Sequence, residues 1–60
     1  MLYEDHEIHT FRDAKRAVVA RIETGNIGDA QTLFTEYAHV YPISGALLRA
    51  EVKEAYNINL

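Results

Sequence analysis

The sequence predicts an all-α fold in which an antiparallel helical hairpin is followed by a third helix. Two stretches with helical periodicity are separated by Gly25-Asn26, and a third periodic stretch follows Pro42. The chain has 60 residues, which is enough for one small domain only. We therefore expect a flexible acidic lead-in over residues 1–9 and a single three-helix domain over residues 10–60.

The first nine residues are rich in acids and histidines and show no regular apolar spacing. This composition predicts that they are the least ordered part of the chain. Tyr3 and Ile8 nevertheless offer apolar surface. The alternative is therefore that the segment Met1-Leu2-Tyr3 docks on the core as an additional short element.

The first helix is predicted to run from Phe11 to Thr24. Thr10 and Asp13 have the spacing of a capping box, although aspartate is shorter than the usual glutamate or glutamine. Gly25 is predicted to end the helix because glycine readily adopts the left-handed conformation found at many helix ends. The apolar residues keep helical spacing and form one narrow stripe: Phe11, Ala14, Val18 and Ile22.

The second helix is predicted over residues 27–41, with Asn26 as its N-cap and Asp29 near the positive end of its dipole. Pro42 lacks the N–H that a continuing helix needs, so the helix should end close to Tyr41. Its apolar arc is the strongest periodic signal in the chain: Ala30, Leu33, Phe34, Tyr37, Ala38, Val40 and Tyr41.

The third helix is predicted over residues 45–56, with Ser44 as its cap. Its main apolar stripe consists of Leu48, Val52, Ala55 and Tyr56, whereas Ala46, Leu47 and Ala50 lie elsewhere around the helix. A helix that is apolar on more than one side is either central to its fold or has a second contact to make.

A partner surface is the prediction that follows from this excess of apolar residues and from the tyrosines, which are enriched at interface centres. The candidate protein-interface residues are Tyr37, Tyr41, Leu47, Ala50 and Tyr56. Two alternatives stay open. Tyr37 and Tyr41 would fill the core, or the alanines and the single leucine would be ordinary surface residues.

The pattern resembles one tetratricopeptide repeat, a two-helix unit of about 34 residues that closes with proline. The resemblance rests on Gly25-Asn26 at the turn, Ala30 and Phe34 on the second helix, and Pro42 at its end. The first helix lacks the tryptophan and the Leu-Gly pair of that family, so an unrelated helical hairpin fits the same pattern. The resemblance implies that a single unit needs neighbours or a partner to cover its exposed face.

Charge disfavours a general nucleic-acid binder. Nine acids against six bases give a net charge of −3 at pH 7, whereas affinity for nucleic acid comes largely from neutralised phosphates. Arg12 and Arg16 share one side of the first helix, but Arg21 points nearly opposite. Whether Arg12, Lys15 and Arg16 contact phosphate stays open.

Catalytic residues are scarce, since the chain has no cysteine and its one serine stands at a predicted helix cap. His6 and His9 with Glu4, Asp5 and Glu7 could collect a divalent metal if the lead-in were helical, but exposed histidines are the simpler interpretation. We predict no enzyme activity, no metal and no cofactor.

The predicted location is the cytoplasm, because the N-terminus is acidic where a signal peptide needs a basic flank and an apolar run. No apolar stretch approaches the roughly 20 residues that span a bilayer, so no membrane role is expected.

The predicted function is a small non-catalytic protein-protein interaction module that binds a protein partner and forms homo-oligomers. In size it resembles the accessory proteins that phages and mobile elements often encode, which act on host proteins. The alternative is a small nucleic-acid-binding transcriptional regulator that acts as a dimer.

Overall fold

The structure, a computed structural model, describes residues 1–4 and 6–60. Within these ranges the chain forms a two-stranded antiparallel sheet and three helices, and the all-α prediction is confirmed. The elements, in chain order, are β1 (Leu2–Tyr3), β2 (His6–Glu7), α1 (Phe11–Glu23), α2 (Ile27–Val40) and α3 (Pro42–Tyr56).

The start of α1 is a complete capping box, as its sequence predicts. The Thr10 hydroxyl accepts a hydrogen bond from the Asp13 N–H at 3.1 Å. The Asp13 carboxylate accepts from the N–H of Thr10 at 3.3 Å and from the N–H of His9 at 3.1 Å. The other end of α1 closes at Gly25, whose φ of +82° lies in the left-handed region that favours glycine.

The capping box makes α1 sensitive to acid. Hydrogen bonding from the His9 N–H, with a further contribution from Thr10, holds the pKa of the Asp13 carboxyl below its ordinary value despite partial desolvation. A carboxyl whose pKa is lower in the folded state stabilises the fold at pH values above its unfolded pKa, which is about 3.9. That stability is lost as pH falls through the folded pKa.

We therefore expect Asp13→Asn to flatten the acid limb of the stability curve. The neutral amide cannot lose charge, so the thermal midpoint of the variant should fall less than that of the parent below about pH 4. Melts between neutral pH and the acid limb would measure this. Asp29→Asn in the first turn of α2 is the control, and an equally steep acid limb in the Asp13 variant would contradict the assignment.

The second helix begins where predicted, but its cap differs from the prediction. Asn26 occupies the N-cap position without a side-chain hydrogen bond to the helix, and its amide nitrogen donates to the Thr24 hydroxyl at 3.1 Å. Its backbone carbonyl accepts from the Ala30 N–H at 3.0 Å, so the first turn closes through the main chain.

The third helix begins three residues before its predicted start, and the prediction that Ser44 caps it is wrong. Pro42 is the first residue of α3. The fixed φ of proline suits a helix, and at this position an N–H would have no hydrogen-bond partner within the helix, so its absence costs nothing. Tyr41 alone separates α2 from α3, and its carbonyl accepts from the Gly45 N–H at 2.8 Å.

The core lies where the three helices meet. Its helical residues follow the predicted stripes, with Ala14, Val18 and Ile22 on α1 and Leu48 and Val52 on α3. The contribution of α2 is Ala30, Leu33, Phe34 and Tyr37. Gly45 allows α3 to approach α2 closely, since a Cβ at this position would stand 2.6 Å from the Cβ of Ala38.

The N-terminal segment packs on this core. Strands β1 and β2 pair in the register Leu2 with Glu7 and Tyr3 with His6. Ile8 then enters the core, where it is 2% exposed, and its N–H donates to the Met1 carbonyl at 2.7 Å. The structure thus agrees with the docked alternative for this segment, and its flexibility stays a prediction.

Candidate protein-interaction surface

Large apolar side chains are exposed at the corner between α2 and α3. Four of them fall within eight consecutive residues of the chain: Val40, Tyr41, Ile43 and Leu47. Ile43 is 82% exposed and Leu47 is 57% exposed. Leu2 and Tyr56 are also exposed but come from other parts of the chain.

One side of α3 carries a continuous exposed apolar stripe, which we name the α3 outer face and define as Ile43, Ala46, Leu47 and Ala50. The buried side of the same helix consists of Gly45, Leu48 and Val52. At about 100° per residue the two stripes lie on opposite sides of the helix. The outer face is therefore not part of the core of the domain.

The predicted interface residues separate into groups. Leu47 and Ala50 lie on the α3 outer face, and Tyr41 is exposed at the adjoining corner. Tyr37 is 3% exposed and its ring packs 5.2 Å from that of Tyr41, so it belongs to the core. Tyr56 follows Leu47 by nine residues and points to the opposite side of α3, so the helix does not bring these two together.

Ile43 is absent from the interface residues that the sequence predicted. A helix that begins at Gly45 leaves Ile43 in the preceding loop, so the one-turn spacing between Ile43 and Leu47 does not then predict a shared helix face. The signal for Ile43 is Pro42, because proline is favoured at the first position of a helix as well as just after the end of one.

Charged side chains border the α3 outer face on both sides. The guanidinium of Arg49 stacks over the ring of Phe34 on α2, 5.2 Å from the ring centre. On the α1 side, Lys15 donates to the Glu51 carboxylate at 2.7 Å, and this hydrogen bond raises the pKa of Lys15. Glu54 lies in the same shallow hollow as Lys15 and Glu51.

The basic residues of α1 are not gathered into one patch. Arg12 and Arg16 are exposed, whereas Lys15 pairs with Glu51. Arg21 is largely covered: it donates to the Ala17 carbonyl at 3.1 Å and its guanidinium faces the ring of Tyr3 at 5.6 Å. Whether Arg12, Lys15 and Arg16 contact phosphate stays open.

The N-terminal histidines do not form a metal cluster in the part of the chain that the structure describes. His9 approaches the Glu7 carboxylate at 3.6 Å, and both side chains are exposed. Asp5, which belongs to the same predicted group, lies outside the described residues.

None of the helices in the described ranges combines the length and the apolar character needed to cross a bilayer. The chain was also compared with protein-family models, curated proteins and solved structures. These comparisons found no match for it.

Proposed function

We propose that this protein is a small non-catalytic protein-protein interaction module that binds another protein chain through the α3 outer face and the adjoining α2–α3 corner. One observation carries the proposal. The helix α3 has a buried apolar stripe on one side and an exposed apolar stripe on the other.

The energetics favour covering this face. Fully burying a leucine or isoleucine side chain is worth about 1.5–3 kcal/mol. Ile43 and Leu47 still expose most of their surface, and Ala46 and Ala50 on the same face are small enough to let another backbone approach. Arg49 and Glu54 supply the polar edges that select a partner by charge.

The small size of the chain fits an accessory role, in which binding alters the activity of a host protein. The alternative is a nucleic-acid-binding dimer, which the exposed Arg12 and Arg16 on α1 would favour. Steeply salt-dependent DNA binding that is lost on replacing both arginines would favour that alternative and contradict the interaction module.

A photo-crosslinking amino acid in place of Leu47 tests the proposal in the cells that make the protein. The matched control carries the same group in place of Thr32, which is exposed on α2. We expect a discrete protein adduct from position 47 and none from position 32. Equal yields from both positions, or no adduct from position 47, would contradict the proposal.

A further inference from the structure

The exposed side of α3 changes character along the helix. Its first turns carry the four apolar residues of the α3 outer face, and its last turn carries Lys53 and Glu54. Lys53 donates to the Asn57 side chain at 3.0 Å, at the end of the helix. The face is therefore graded from apolar at the Pro42 end to charged at the Tyr56 end.

The two edges of this face differ in charge. Arg49 lies on the edge toward α2, where it stacks on Phe34. Glu54 lies on the edge toward α1, in the hollow that Lys15 and Glu51 share. One edge is thus basic and the other acidic.

We propose that a second copy of this chain covers the α3 outer face, packed as a parallel and in-register pair of α3 helices. This inference rests on the proposed function and identifies the protein that covers the α3 outer face as a second copy of the chain. A two-fold axis along the helices sets the basic edge of each copy against the acidic edge of the other.

The spacing of the charged residues matches this arrangement. If Ile43 and Ala50 take the first position of successive heptads, Arg49 takes the seventh position and Glu54 the fifth of the next heptad. Residues at these two positions form the ion pairs that flank a parallel helix pair. Two symmetric Arg49–Glu54 pairs follow, one on each side of the interface.

An antiparallel pair fits the face less well. It would set the charged end of one helix, with Lys53 and Glu54, against Ile43 of the other copy, and burial of charge on an apolar side chain is costly. The parallel pair instead sets Ile43, Ala46 and Ala50 against the same residues of the other copy. Lys53, which takes the fourth position of the second heptad, lies at the charged end of the pair and donates to its own Asn57 side chain. The parallel pair also brings the two α2–α3 corners together, so the exposed Val40 and Tyr41 adjoin the same interface.

Charge reversal tests the orientation and the occupant together. Arg49→Glu and Glu54→Arg should each weaken self-association roughly tenfold, because each replaces two attractive pairs by two repulsive ones.

An equimolar mixture of the two variants should associate as the parent does. In the mixed pair, one side joins the two introduced residues and the other side keeps Arg49 against Glu54, so both sides attract. The double variant should also recover. Sedimentation equilibrium over a wide concentration range measures all four.

Two controls keep the result specific to the pair. Circular dichroism at low concentration must give the parental helix content for each variant, because Arg49 also packs on Phe34. Arg49→Lys preserves the charge with a different head group and should retain association. A mixture that associates no better than its components would overturn the parallel arrangement.

The failure of this inference differs from that of the proposed function. A parent chain that stays monomeric while position 47 crosslinks to a different protein would overturn the second copy and leave the interaction module standing. A monomeric parent chain with no adduct at position 47 would overturn both. An adduct of twice the chain mass, together with recovery in the mixture, supports both.

Discussion

Leu48→Ala is expected to remove most of the stability of the domain. Leu48 is fully buried, at 0% exposure, and truncating a buried leucine costs about 2–5 kcal/mol. At about 0.05–0.15 kcal/mol per residue, a chain of 60 residues has a total stability of about 3–9 kcal/mol, so the loss is a large part of it. The midpoint of thermal unfolding should fall by about 10 °C or more, as measured by the circular dichroism signal of the helices.

The neighbouring Leu47→Ala is the matched control for this loss. It makes the same chemical change one residue earlier on α3, at a side chain that is 57% exposed. Because little buried surface is lost, its midpoint should stay within a few degrees of the parent at concentrations where the chain is monomeric. Equal losses in the two variants would contradict the assignment of the buried and outer sides of α3.

Gly45→Ala should be the most damaging addition of a single methyl group. The new Cβ would stand 2.6 Å from the Cβ and 2.8 Å from the Cα of Ala38, so α2 and α3 must move apart. Alanine favours helix over glycine by about 1 kcal/mol, but overpacking costs typically about 1–3 kcal/mol, and here the obstacle is backbone. We expect a net loss of stability and a lower midpoint in urea or on heating.

Gly28→Ala is the control for Gly45→Ala. Gly28 also lies in a helix, and among the described residues no atom outside its own helical turn lies within 4 Å of an added Cβ. The same substitution should there be neutral or stabilise by up to about 1 kcal/mol, since only the helix propensity acts. If Gly45→Ala were as stable as Gly28→Ala, the close approach of α2 and α3 would be refuted.

Periodicity was sufficient to predict the helices and most of their buried stripes. A stripe such as Ala14, Val18 and Ile22 repeats over several turns, so it identifies a helix and its buried side without knowledge of the neighbours. The capping box of Thr10 and Asp13 was predictable for a similar reason, since both partners lie within four residues of each other.

Contacts that depend on three-dimensional placement were not predictable. Ile8 lies beside a two-residue strand, which is too short to show a period, and its burial depends on helices that follow it in the chain. The contact of Gly45 with Ala38 depends on the distance between two helices, which neither residue encodes alone. The sequence predicts part of the candidate site, through Leu47 and Ala50. It does not predict Ile43, because a proline at a helix boundary is compatible with the end of one helix and with the start of the next.

The junction between α2 and α3 consists of a single residue. Tyr41 is both the last cap of α2 and the first cap of α3, with φ of −128° and ψ of 78°. A helix advances by about 100° per residue, so one residue more or fewer before α3 would turn its whole exposed side by more than a quarter of a revolution. The direction in which the proposed binding surface faces is thus set by the torsion angles of a single residue, and a change in loop length, which most folds tolerate, would here redirect that surface.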